Sequence, residues 1–73
     1  MFIRIIHTKK ARGHESLYEC LRYRTQPTDH GFIVTMEGVA DTVSVDIDKR
    51  QTVEVYVMNN DGHTIDTLFQ NRH

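Results

Sequence analysis

Between Thr42 and Met58 apolar and polar side chains alternate residue by residue. Val43, Val45 and Ile47 are interleaved with Ser44, Asp46 and Asp48, and Val53, Val55 and Val57 with Glu54, Tyr56 and Met58. A period of two belongs to a strand, whose successive side chains point to opposite faces; a helix would repeat its apolar positions every three or four residues. The segment reads as a β-hairpin. Placing the aliphatic side chains on one face sets Ile47 opposite Val53, Val45 opposite Val55 and Val43 opposite Val57, with Lys49, Arg50 and Gln51 as the connection. A slip of one residue would set valines against acids.

The next turn, Asn59-Asn60-Asp61-Gly62, suits a hairpin loop in which Gly62 takes the left-handed conformation. With Asn60, Asp61 and Gly62 in the loop, Val57 faces Ile65 and Val53 faces Phe69, which extends the core face onto a third strand, His63 to Phe69. A two-residue Asp61-Gly62 turn would instead bring Asp66 opposite Val57, on the buried side. Upstream, Phe2 to His7 and Phe32 to Glu37 are rich in β-branched and aromatic residues and also read as strands. The polar run Thr25 to Gly31, which contains the single proline, Pro27, is a loop between two apolar segments.

Glu15 to Arg24 fits two templates. Leu17, Tyr18 and Leu21 have helical spacing, but as a strand the segment puts Leu17, Leu21 and Tyr23 on one face and Tyr18 and Cys20 on the other. The strand is favoured, because the polar run then closes it into a hairpin with Phe32 to Glu37 and because His14-Glu15-Ser16 is a weak helix N-cap. The expected fold is mostly β: a small antiparallel meander of five to six strands forming a compact sheet, a sandwich or a partly open barrel. The alternative is α+β, with one helix at residues 15–25 packed on a four- to five-stranded antiparallel sheet.

A chain of 73 residues holds one core, so residues 1–73 are read as a single domain, and one of marginal stability. Partner subunits often support domains of this size. Tyr56, Met58 and Leu68 fall on the face opposite the valines, which suggests an oligomer interface, most simply that of a homodimer. Cys20 is the one cysteine, so it is read as a buried structural thiol in a reducing, cytoplasmic setting. The apolar stretch Phe2 to Ile6 is too short, and interrupted by Arg4, to serve as a signal peptide or membrane span.

Motifs for chemistry are missing from the pattern. The five histidines, His7, His14, His30, His63 and His73, have none of the short spacings from which zinc sites are built. Asp46 and Asp48 lack the turn glycine and closing glutamate of a calcium loop. Cys20 has no glycine-rich elbow near it, and the glycines cradle no phosphate. The chain is therefore read as non-enzymatic, without cofactor or metal.

Net charge is −1, but the charge is divided. Arg4, Lys9, Lys10, Arg12, Arg22 and Arg24 make the first third basic, whereas the rest of the chain is acidic. If Glu15 to Arg24 is a strand, Tyr18, Arg22 and Arg24 share a face beside Lys9, Lys10 and Arg12, a set suited to a nucleotide or nucleic acid. The competing explanation is that oppositely charged strands pair within the sheet or between subunits. The leading functional expectation is a small protein-binding inhibitor or adaptor of the phage or mobile-element accessory type. The alternative is a binder of an anionic ligand through the basic segment.

Overall fold

The computed structural model describes residues 1–7, 14–51 and 53–70, residue 53 through its backbone only. Alternation is expressed as seven strands: β1 (Phe2–His7), β2 (His14–Glu19), β3 (Arg22–Pro27), β4 (Gly31–Glu37), β5 (Thr42–Asp48), β6 (Val53–Met58) and β7 (Thr64–Phe69). They form two antiparallel sheets, one in the order β2-β1-β6-β7 and the other in the order β3-β4-β5. The fold is thus an all-β sandwich. The described residues contain no helix, so the α+β alternative falls; none could cross a membrane as a helix.

The core fills the space between the sheets. Ile3, Ile5, Val55 and Val57 come from the central strands of the four-stranded sheet, and Phe32, Val34, Met36 and Ile47 from the other. In β4 the alternation is complete, with Phe32, Val34 and Met36 buried and the residues between them half-buried.

The Thr42–Met58 hairpin does not form. β5 pairs with β4, setting Val45 opposite Val34 and Ile47 opposite Phe32, and β6 pairs with β1 and β7. The chain leaves β5 in one sheet and re-enters as β6 in the other, so Ile47 and Val55 belong to one core without sharing a ladder. The shared apolar face is real; it is the face between two sheets. A hairpin and a crossover between packed sheets both place the aliphatic side chains inward, so the period of two does not separate them.

Glu15 to Arg24 divides for the same reason. The Cys20 amide donates to the Met1 carbonyl at 2.9 Å, and the next amide, Leu21, donates to the Glu37 carbonyl of the other sheet at 2.8 Å. The chain changes sheets between these two residues, and side-chain parity inverts with it. Tyr18 and Cys20 point inward before the switch, and Tyr23 after it. Leu17 and Leu21 are left exposed.

The β3–β4 hairpin does form, but the strands run further into the polar segment than expected, with Pro27 opposite Phe32. Pro27 is tolerated because β3 is an edge strand, where a missing N–H costs no ladder bond. The β6–β7 turn also forms. Gly62 has φ of +86°, and Asn59 Oδ1 accepts from the Asp61 and His63 amides, each at 3.0 Å.

Its register starts as expected, Met58 opposite Thr64, then shifts twice, giving Val57–Asp66 and Val55–Phe69. Ile65 is the extra residue at the first shift and is exposed, so it does not face Val57 in the core. Asp66 does pair with Val57, yet it is solvated because β7 is an edge strand.

Candidate functional site

The sandwich has two seams, where an edge strand of one sheet lies beside an edge strand of the other. At the β3–β7 seam, Tyr23 faces Asp66; burial first, and then the Asp66 carboxylate, hold the Tyr23 phenol above its usual pKa. Further along, the Lys49 ammonium lies 5.7 Å from the Phe32 ring centroid and 5.5 Å from that of Phe69, a cation held between two aromatic faces. Leu68 and Phe69 pack against the core here. Polar and aromatic contacts bridge this seam, and they leave a hollow of ≈ 200 Å³ lined by Thr25, Pro27, Gly31, Phe32, Lys49 and Leu68, none of them an exposed large apolar side chain.

The β2–β5 seam is different. A cleft of ≈ 350 Å³ opens between Leu17–Glu19 of β2 and Val43 of β5, with the β4–β5 turn, Gly38 to Asp41, as its wall. A smaller hollow of ≈ 180 Å³ adjoins it, lined by Glu19, Cys20, Leu21, Gly38 and Val39. Four of the five large apolar side chains that the described residues leave exposed gather here: Leu17 (57%), Leu21 (65%), Val39 (90%) and Val43 (41%); only Ile65 lies elsewhere. Scattered exposed hydrophobes need no explanation, but a cluster around a concavity marks a contact surface. The Val39-Ala40 pair sharpens the point, because a hairpin turn usually carries polar residues or glycine at its tip. The charged groups in the lining are Glu19 and Asp41, and no described cation joins them.

The residues expected to hold an anion are not brought together. Tyr18 turns toward the core of the four-stranded sheet, while Arg22 and Arg24 lie exposed on the outer face of the three-stranded sheet. The sheet change at Cys20–Leu21 breaks the common face that a continuous strand would have given them. Arg22 is also engaged, its Nε donating to Glu37 directly across the ladder. Lys9, Lys10 and Arg12 lie outside the described residues.

Tyr56 and Met58 occupy the outer face of the four-stranded sheet, half-buried, as expected. Leu68 does not join them, because the second register shift in β7 turns it onto the core. In its place the neighbouring strand supplies Phe2, opposite Met58, and Ile6, opposite Glu54. Arg4 sits between them, opposite Tyr56, its Nε and Nη2 donating to the two Glu15 carboxylate oxygens at 2.6 and 3.0 Å. The Tyr56 hydroxyl donates to Glu54, and that bond raises the phenol's pKa.

Cys20 is buried, at 2% exposure, and desolvation raises its thiol pKa. His7 and His14 face each other across β1 and β2 with ring centroids 6.1 Å apart, a pairing that sequence spacing does not reveal. Among the described residues no group of three or more histidine, cysteine, aspartate or glutamate side chains comes together to hold a metal. No family model, curated protein or solved structure matches the chain.

The apolar end was hidden in the sequence by parity. As a single strand, Glu15 to Arg24 puts Leu17 and Leu21 on one face with Tyr23, which the structure turns inward, and alternation makes Val43 the start of a core hairpin. The available signal was Val39-Ala40, an apolar pair in a turn between Gly38 and Asp41.

Proposed function

We propose that this chain is a non-enzymatic protein-binding module, an inhibitor or adaptor of the accessory type, which docks on its partner through the apolar end at the β2–β5 seam. The observation that supports this reading is the concentration of Leu17, Leu21, Val39 and Val43 around one cleft, while the hollow at the opposite seam has no exposed large apolar side chain in its lining. A protruding aliphatic tip beside a hollow suits an interface centre, where a few desolvated side chains supply most of the binding energy. The lining carboxylates would repel an anionic ligand at this end.

The test is affinity capture with the wild-type chain and with the double variant Leu21→Asp/Val39→Asp. Both positions are exposed, so the variant should keep its circular dichroism spectrum and melt within a few degrees of wild type. Binding to the captured partner should weaken by about thirtyfold or more, the scale of a lost interface hot spot. Undiminished capture by a folded variant would overturn the reading.

A second reading, homodimerisation, is favoured by the outer face of the four-stranded sheet, where Phe2 and Ile6 extend the apolar surface begun by Tyr56 and Met58. Light scattering at tens of micromolar tests it. A strict monomer, unchanged by Met58→Glu, would remove it.

A further inference from the structure

Each sheet edge exposes backbone N–H and C=O groups to any extended chain that approaches, and folded proteins guard such edges with proline, charge or register shifts. Three of the four edges here are guarded along their length. β3 carries Arg22, Arg24 and Pro27, β7 has two register shifts, and β2 carries Glu15 and Glu19 near its two ends. The fourth edge, β5, is different at its start: Thr42, Val43, Ser44 and Val45 form a stretch in regular register, β-branched but for Ser44, with no charge, proline or shift, and this stretch borders the cleft.

We infer that the Thr42–Val45 edge of β5 accepts an extended segment of the partner as an added strand, and that this segment alternates apolar with lysine or arginine side chains. The inference rests on the reading of the apolar end as a docking surface. Its apolar half follows from the pleat. A strand added beside β5 alternates as β5 does, so its inward side chains enter the cleft of Leu17 and Val43. The basic half follows from charge. Outward side chains of the added strand stand beside Thr42, Ser44 and Asp46, and cross-strand neighbours of opposite charge stabilise a ladder. Asp46 is exposed with no described ion-pair partner, and Glu19 and Asp41 lie at the rim. A second copy pairing through its own β5 is disfavoured, because it would bring Asp46 and Asp48 again and no cation within the strand.

The test uses isotopically labelled full-length chain titrated with three eight-residue peptides: alternating Leu and Lys, alternating Leu and Glu, and the Leu/Lys peptide N-methylated on alternate backbone amides. The Leu/Lys peptide is expected to move the amide resonances of Thr42–Val45 and to bind at least tenfold more tightly than the other two. The Asp46→Lys variant, changed at an exposed position, should reverse the order of the Lys and Glu peptides. Equal affinity for those two, no loss on N-methylation, or shifts centred on Phe2 and Tyr56 would each overturn the inference, as would failure of the Leu/Lys peptide to bind at millimolar concentration. If the peptides fail while Leu21→Asp/Val39→Asp still abolishes partner capture, the added strand falls and the apolar docking end stands. If capture is also undiminished, both fall.

Discussion

Replacing Gly31 by alanine should destabilise the protein by about 2 kcal/mol, the net of three effects. Gly31 opens β4 at the point of closest approach to β5. A Cβ there would stand 1.9 Å from the Ile47 carbonyl oxygen, 3.0 Å from its carbon and 3.2 Å from the Lys49 amide nitrogen. All three are backbone atoms, so no rotamer change relieves the clash and the end of β5 must retreat. That movement loosens the Gly31–Asp48 pair and the bond from the Lys49 amide to the His30 carbonyl, now 2.8 Å. Overpacking costs about 1–3 kcal/mol, and a weakened backbone hydrogen bond about 1 kcal/mol. Against these, alanine's smaller unfolded-state entropy returns about 0.4–1 kcal/mol.

For a domain of this size about 1 kcal/mol moves Tm by roughly 4–8 °C, so a fall of about 8–16 °C is expected. Urea and thermal unfolding followed by far-ultraviolet circular dichroism measure it, with the urea m-value unchanged. Gly62→Ala is the control: φ is +86° with nothing within 4 Å of the added Cβ, so conformational strain acts alone and costs about 1 kcal/mol. A Gly31→Ala protein within about 0.5 kcal/mol of wild type, the usual span of neutral surface changes, would refute the close approach of β4 and β5.

Cys20 should react slowly with a thiol reagent in the native state and rapidly in urea. Because burial raises its pKa, stability should be full below about pH 8.5, the unfolded thiol range, and fall as pH rises, a loss absent from Cys20→Ala. The Asp48 carboxyl, held at about 2 by the Arg50 side chain and amide, should return toward the ordinary range near 3.9 in Arg50→Ala, as read by carbon-detected titration. Its contribution to stability is present above the unfolded pKa and lost as pH falls toward 2, and the variant should lack that acid-limb dependence. Arg22→Ala/Arg24→Ala should cost under about 1 kcal/mol, because the Arg22–Glu37 pair is exposed and screened. Nucleotides and short oligonucleotides at low salt should not raise the Tm of the wild-type chain; a rise abolished by the double variant would restore the anion-binding alternative.

Alternation made strand identity legible, because it depends only on which side chains avoid water. β1 and the inward faces of β4, β5 and β6 follow from it directly. Partnership was not legible, because many pairings satisfy the same burial. Asn59 to Gly62 contains a residue able to adopt positive φ and makes a hairpin, while Lys49-Arg50-Gln51 has none, and there the chain crosses between sheets. A tight hairpin at that point would have favoured glycine or asparagine. Yet the β3–β4 and β4–β5 hairpins form without a positive-φ residue, so the absence of glycine and asparagine at Lys49-Arg50-Gln51 does not by itself decide between a hairpin and a crossover.

The docking end was harder to read, since it depends on where parity breaks. Reading Glu15 to Arg24 as one strand put Leu17, Leu21 and Tyr23 on one face and gathered Tyr18, Arg22 and Arg24 on the other as a site. One change of sheet split both faces. Cys20 keeps its backbone bond to the first strand while Leu21 takes one from the fourth, so residues of equal parity on either side of the switch face opposite environments. The switch therefore dispersed the basic constellation, and Leu21, at the switch itself, lies exposed beside Leu17 of β2 and the Val39 turn. In a thin two-sheet domain the crossovers are the places where sequence alternation ceases to report burial, and here the crossover between β2 and β3 is also where the surface best suited to a partner begins.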